Sequence, residues 1–157
     1  FVANAGALVC SIIDVVDTGV QGSRFIKIDS GMTEVLRPSM YGAQHPIVVV
    51  PARPEERGQN EYLVAGHCCE SGDILTPAVD NPEGLEARLL TEAKIGDAVF
   101  IGGSGAYCAG MAAKNYNSFP EAPEVLLDDN GALHLLRQRQ TLDQLLANES
   151  LPAFLTT

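Results

Sequence analysis

The sequence predicts a mainly β domain. Short apolar runs recur between turns rich in Gly, Pro, Asn and Asp, one run alternates strictly between two faces, and a capped helix is written only near the C-terminus. The opening stretch 1–16, rich in Ala, Val and Ile, reads as a strand. Residues 23–30 follow through Asp17-Thr18-Gly19 and Gly22, with Ile26 and Ile28 on one face and Phe25, Lys27 and Asp29 on the other. Met32, Val35, Leu36 and Met40 sit at helical spacings, but Pro38 limits that segment to a short or broken turn. Residues 47–51 form a buried strand, 53–60 an exposed loop, and 61–66 another strand. The stretch 76–93 carries Pro77, Pro82 and Gly84 and is expected to be mostly loop with one helical turn. Residues 98–101 make a strand that enters Gly102-Gly103-Ser104-Gly105. Asn130-Gly131 between two apolar runs marks a hairpin, and Thr141 with Gln144 forms a capping box ahead of Leu142, Leu145 and Leu146.

The 157 residues suit one domain, large enough to bury a core without disulfides or structural metals. With 46% hydrophobic residues and a mean hydropathy of +0.08, disorder is excluded as the general state. Ten Lys and Arg against twenty Asp and Glu leave a net charge of −10, the wrong sign for a phosphate-backbone binder. No apolar run reaches the roughly 18 residues of a membrane helix, and no secretory signal is visible. Cys10, Cys68, Cys69 and Cys108 make no C-x-x-C pair, so reduced thiols and a cytoplasmic location are the simpler expectation.

Gly102–Gly105 misses the dinucleotide fingerprint, the nucleophile elbow and the Walker lysine on spacing. His45, His67 and His134 are scattered, and no metal site is expected. Cys69-Glu70 is the stronger chemical candidate, because a thiol can deliver a proton and the adjacent carboxylate can bind a cation. Burial of the thiol as packing is its alternative, and strand register sends Cys68 and Cys69 to opposite faces. Arg37 can clamp a carboxylate, with Tyr41 on the same side of a helical turn; an Arg left in solvent is the alternative. Tyr107 offers a hydroxyl to a phosphate or carboxylate, or half-buried packing at a strand edge.

Taken together, Asp29-Ser30-Gly31-Met32, Arg37-Pro38-Ser39-Met40-Tyr41, Cys69-Glu70-Ser71-Gly72-Asp73, Gly105-Ala106-Tyr107 and Tyr116-Asn117-Ser118 resemble, in order and spacing, the C-terminal part of the diaminopimelate decarboxylases. These belong to the fold-type III decarboxylases that use pyridoxal 5'-phosphate. The resemblance spans residues 1–149. It implies that 1–157 is a single C-terminal domain, a Greek-key-type β-barrel like that of alanine racemase. An N-terminal (β/α)8 barrel, not found in this sequence, would carry the cofactor's lysine, and the isolated chain is expected to be inactive. The resemblance also implies a homodimer with its active site at the interface. Cys69 would be the proton donor delivered to the partner's site, and Glu70 would recognise the substrate's distal amino group. Arg37 and Tyr41 would hold the distal carboxylate, and Tyr107 would contact cofactor and substrate. An amino-acid substrate follows, with meso-diaminopimelate favoured because its far end is zwitterionic. Ornithine, arginine or carboxynorspermidine as substrate, or a non-catalytic binding module, are the competing readings. Many family members follow Tyr-Asn-Ser with Arg-Pro, whereas here Phe119-Pro120 follows Ser118.

Overall fold

The computed structural model describes residues 2–155, which divide into two compact units, Phe1–Ala113 and Lys114–Thr157. In the first, strand β1 (Ala7–Asp17) is long enough to serve two partners. Its first half pairs antiparallel with β8 (Ala98–Gly102) and its second half with β2 (Arg24–Ile28), and a bulge between Ile12 and Asp14 marks the change. With β3 (Ile47–Val50), β4 (Gln59–Ala65) and β7 (Arg88–Thr91) these strands form a six-stranded sheet in the order β3-β8-β1-β2-β4-β7. The two end strands, β3 and β7, also lie against each other, so the sheet curls toward closure. The mainly β, barrel-like fold with few short helices is therefore as expected from the sequence.

Alternation decides what fills the interior. Ile26 and Ile28 of β2 are fully buried while Lys27 between them is exposed. Cys10 and Ile12 from β1, Val49 from β3, Val64 from β4, Leu90 from β7, and Val99 and Ile101 from β8 complete the core, which Val35, Leu75 and Cys108 close from the connecting segments.

The segment 76–93 departs from the expected loop. It holds β5 (Pro77–Ala78) and β6 (Asn81–Leu85), paired as a small separate ladder, and then β7 against β4. Pro77 and Pro82 mislead because a two-stranded ladder has free edges where a missing N–H costs nothing. The short helix α1 (Arg37–Tyr41) accepts Pro38 in its first turn, where no intrahelical N–H bond is lost, and ends at Gly42 in the left-handed region at φ 64°.

The second unit holds the expected hairpin, β9 (Glu124–Leu127) and β10 (Leu133–Arg137), closed by Asp128 Oδ1 accepting the N–H groups of Asn130 and Ala132 at 2.9 Å each. The helix α2 (Leu142–Leu146) carries both bonds of the predicted capping box. Leu142 and Leu146 are nevertheless exposed.

Candidate active site

The Cys69 segment is a loop that leaves β4 and returns. Gly66 N–H donates to Asp73 O at 2.8 Å, and Asp73 N–H donates to Glu70 O at 3.0 Å, so residues 66–73 close on themselves and push their tip outward. At that tip Cys69 and Glu70 are exposed. The Glu70 carboxylate accepts from Gly72 N–H at 3.1 Å, which steadies it. Cys68 is only 9% exposed; the two cysteines differ as strand register would have them, but they lie in a loop, where the contacts of each residue and not alternation decide burial. Burial, helped by the nearby Asp73 carboxylate, pushes the Cys68 thiol up to about 12. Of the four cysteines, Cys10, Cys68 and Cys108 are buried and Cys69 is exposed.

Arg37 and Tyr41 stand at the two ends of α1, one helical turn apart and so on one side. Tyr41 is 56% exposed. The helix is tied to the Cys69 loop by the Ser39 hydroxyl, which donates to Gly72 O at 2.5 Å. Among the described residues, no hydrogen bond or ion pair engages the Arg37 guanidinium. Its charge is felt at Cys108, where it opposes the upward push of burial on that thiol. Arg37 therefore lies close to the residue that follows Tyr107.

Tyr107 sits beyond the end of β8 rather than at a strand edge, in the left-handed region at φ 58° and 70% exposed. Half-buried packing is thus not its role, and a non-glycine residue held in this conformation marks a turn fixed by its surroundings. The fixing is visible nearby. Ser104 N–H donates to Gly6 O at 2.9 Å and Gly105 N–H to Ala3 O at 3.0 Å. A Cβ on Gly105 would fall on the Val2 carbonyl, so only glycine lets the two backbones cross. Farther on, Ala113 N–H donates to Met32 O at 3.0 Å, bringing this segment back to the one that carries α1.

Three stretches, 30–41, 66–73 and 103–113, are thus laced into one cluster inside the first unit, and it contains Arg37, Tyr41, Cys69, Glu70 and Tyr107. A wide depression lined by Asp17, Arg24, Asn60 and Leu89 shares no residue with it. Tyr116-Asn117-Ser118 falls in the second unit, where Asn117 and Ser118 have positive φ. The sequence reading passed over Ser39 and Asp73, which join the stretches to one another. Both lie inside the quoted motifs, and the signal available was the placing of Gly31 and Gly66, since a Cβ on either would overlap the Asp73 carboxylate.

The candidate site is thus an exposed thiol, a carboxylate and a guanidinium carried by the segments that join the strands of a curled sheet. The chain belongs to the family described as "Pyridoxal-dependent decarboxylase, C-terminal sheet domain", which matches residues 2–105. It is 42% identical over 155 residues to the diaminopimelate decarboxylase of Escherichia coli, covering 96% of this chain and 35% of that protein. With the diaminopimelate decarboxylase of Streptomyces coelicolor the identity is 35% over 153 residues, covering 96% of this chain and 33% of the relative. A crystal structure of diaminopimelate decarboxylase superposes with a TM-score of 0.85 at 39% identity, over 94% of this chain and 34% of that one. The M. jannaschii enzyme solved in complex with L-lysine gives 0.80 at 31% identity, over 98% and 32%. The chain spans about one third of the length of the curated relatives it matches.

Proposed function

We propose that this chain is the C-terminal domain of a pyridoxal 5'-phosphate-dependent decarboxylase that converts meso-diaminopimelate to L-lysine and CO₂ in lysine biosynthesis. The observation that supports the reading is that exposed Cys69 and Glu70 lie on a loop hydrogen-bonded through Ser39 to the helix of Arg37, whose guanidinium has no partner among the described residues. The distal end of meso-diaminopimelate carries both a carboxylate and an ammonium group. Arg37, with the Tyr41 hydroxyl beside it, binds the first and Glu70 the second, so both charges of the far end are met by fixed opposite charges. A substrate lacking the distal carboxylate leaves Arg37 unanswered.

The chain's residues fit the cofactor as one wall of its site. Tyr107 offers an exposed hydroxyl on a braced turn, whereas Lys94 is paired with Glu55 and Lys114 with Glu121. Lys27 stands on the exposed face of β2. As the family resemblance implies, the cofactor's lysine belongs to an N-terminal barrel domain and the site lies at the interface of a homodimer. When bound, pyridoxal phosphate would supply a sink for the electron pair left as CO₂ departs. Cys69 then passes its Sγ–H proton to the carbon that lost CO₂, and the thiolate regains a proton from water. Exposure at a loop tip suits a group that must reach into a neighbouring subunit.

The test is CO₂ release by the complete gene product, reconstituted with pyridoxal phosphate, on meso-diaminopimelate, ornithine, arginine and carboxynorspermidine. Selective release from diaminopimelate is expected, and Arg37→Ala should lower kcat/KM for it by roughly a hundredfold while changing the monocarboxylates little. Release from another substrate overturns the role of Arg37. No release from any substrate moves the chain to a non-catalytic binding module.

A further inference from the structure

We propose that Asp73 is a positioning residue that sets Cys69 and Glu70 against Arg37 and keeps the neighbouring Cys68 out of the reaction. The inference rests on the decarboxylase reading for its kinetic half and on geometry alone for the rest.

Asp73 is 2% exposed, and among the described residues it enters no ion pair. A carboxylate buried without a cation needs strong neutral donors, and here they come from two separate segments. Oδ1 accepts the Met32 N–H at 2.7 Å and Oδ2 accepts the Cys68 N–H at 2.9 Å. The Cys68 thiol lies near enough to feel the same carboxylate, which adds to the upward push of burial. Gly31 and Gly66 leave the room it occupies. The residue therefore bridges the start of the stretch leading to α1 and the base of the Cys69 loop.

Each bond has a consequence at the loop tip. Holding the Cys68 amide inward keeps that residue buried, while Cys69, one residue on, is exposed at the loop tip. Holding Met32 fixes the origin of the segment that delivers Arg37 five residues later. Ser39, which reaches Gly72 O from α1, latches the same two pieces from the other side. Both ends of a bound diaminopimelate would thus be referenced to one carboxylate. Displacement of a proton donor by about 1 Å is enough to cost a large factor in rate.

Asp73→Asn is the informative variant, because it keeps the volume while turning one acceptor into an NH₂ that faces an N–H. In the complete gene product carrying its cofactor, native-state alkylation mapped by peptide mass should label, of this chain's four cysteines, Cys69 alone in the wild type. It should label both Cys68 and Cys69 in Asp73→Asn. kcat should fall about tenfold or more with the cofactor's absorbance unchanged. Ser39→Ala should raise KM for diaminopimelate severalfold while Cys68 stays protected. Labelling needs no substrate, so it reports on Asp73 even if the decarboxylase reading fails. Wild-type labelling with wild-type kcat in Asp73→Asn overturns the proposal. So does an Asp73→Asn protein that does not fold when Ser39→Ala is indistinguishable from wild type.

Discussion

At the scale of single residues, burial is what separates four chemically identical thiols. Cys10, surrounded by core and close to Asp29, is pushed up to about 12, and Cys68 is pushed to about 12 by burial and Asp73. Burial also raises Cys108, against the opposing pull of Arg37 and Ser104. Only the thiolate reacts with an alkylating agent, so at pH 8 a thiol with a pKa near 12 offers about one part in ten thousand of reactive form. Cys69 is exposed at its loop tip. Iodoacetamide at pH 8 should therefore modify Cys69 first, and Cys69→Ser should abolish the fast phase of thiol loss. Fast labelling that survives Cys69→Ser would contradict this assignment.

Among the elements, the turn 92–97 before β8 and the loop 51–57 after β3 are joined by a buried ion pair. Arg57 and Asp97 are almost fully buried, with Arg57 Nη1 on Asp97 Oδ2 and Nη2 at 3.1 Å from Oδ1. The same carboxylate accepts the Ala52 N–H at 2.9 Å and the Lys94 N–H at 2.8 Å, and Arg57 also donates to Glu92 O at 2.9 Å. Burial alone would raise the Asp97 carboxyl. The Arg57 bond and the two amides outweigh it and hold the group below its ordinary value of 3.8. Because its folded value is the lower one, this carboxylate stabilises the fold above the unfolded value, and the contribution is lost as pH falls through the folded one. Asp97→Ala should destabilise the protein by about 3 kcal/mol at neutral pH, since it strands the Arg57 charge and both amides. In urea titrations, the fall in stability below about pH 4 should be shallower in the variant than in the wild type. An unchanged acid limb would remove Asp97 as its source.

For the whole molecule, register and charge act together. Val9 lies opposite Phe100, and Phe100 opposite Val48, so three exposed apolar side chains form a row across the outer face of β1, β8 and β3. Contiguous apolar surface of this kind favours association, while a net charge of −10 opposes it at neutral pH. The sequence pI is about 4.6. The chain expressed alone should associate increasingly as pH drops from 8 toward 5, when its charge repulsion fades. Sedimentation velocity across that range is the measurement, and a monomer at every pH would show that the row is too small to drive association.

Read from its sequence alone, the protein already declared its alternating strands, its hairpin, its capping box and the motifs that place it in its family, because each of these is set by neighbours a few residues apart. Ile26 and Ile28 are buried because every second residue of a strand faces one way, and Thr141 meets Gln144 within a single turn. The strands of 77–91 were hidden by prolines whose tolerance depends on a free edge that only the assembled ladder reveals. Likewise, nothing local indicated that Cys68 rather than Cys69 would be buried, or that Tyr107 would stand exposed on a braced turn. Those outcomes depend on Asp73 meeting Met32 across 41 positions and on Gly105 meeting Ala3 from the far end of the domain. The tertiary structure decided them because a buried carboxylate must find its donors, and a crossing backbone its space, wherever the fold brings them.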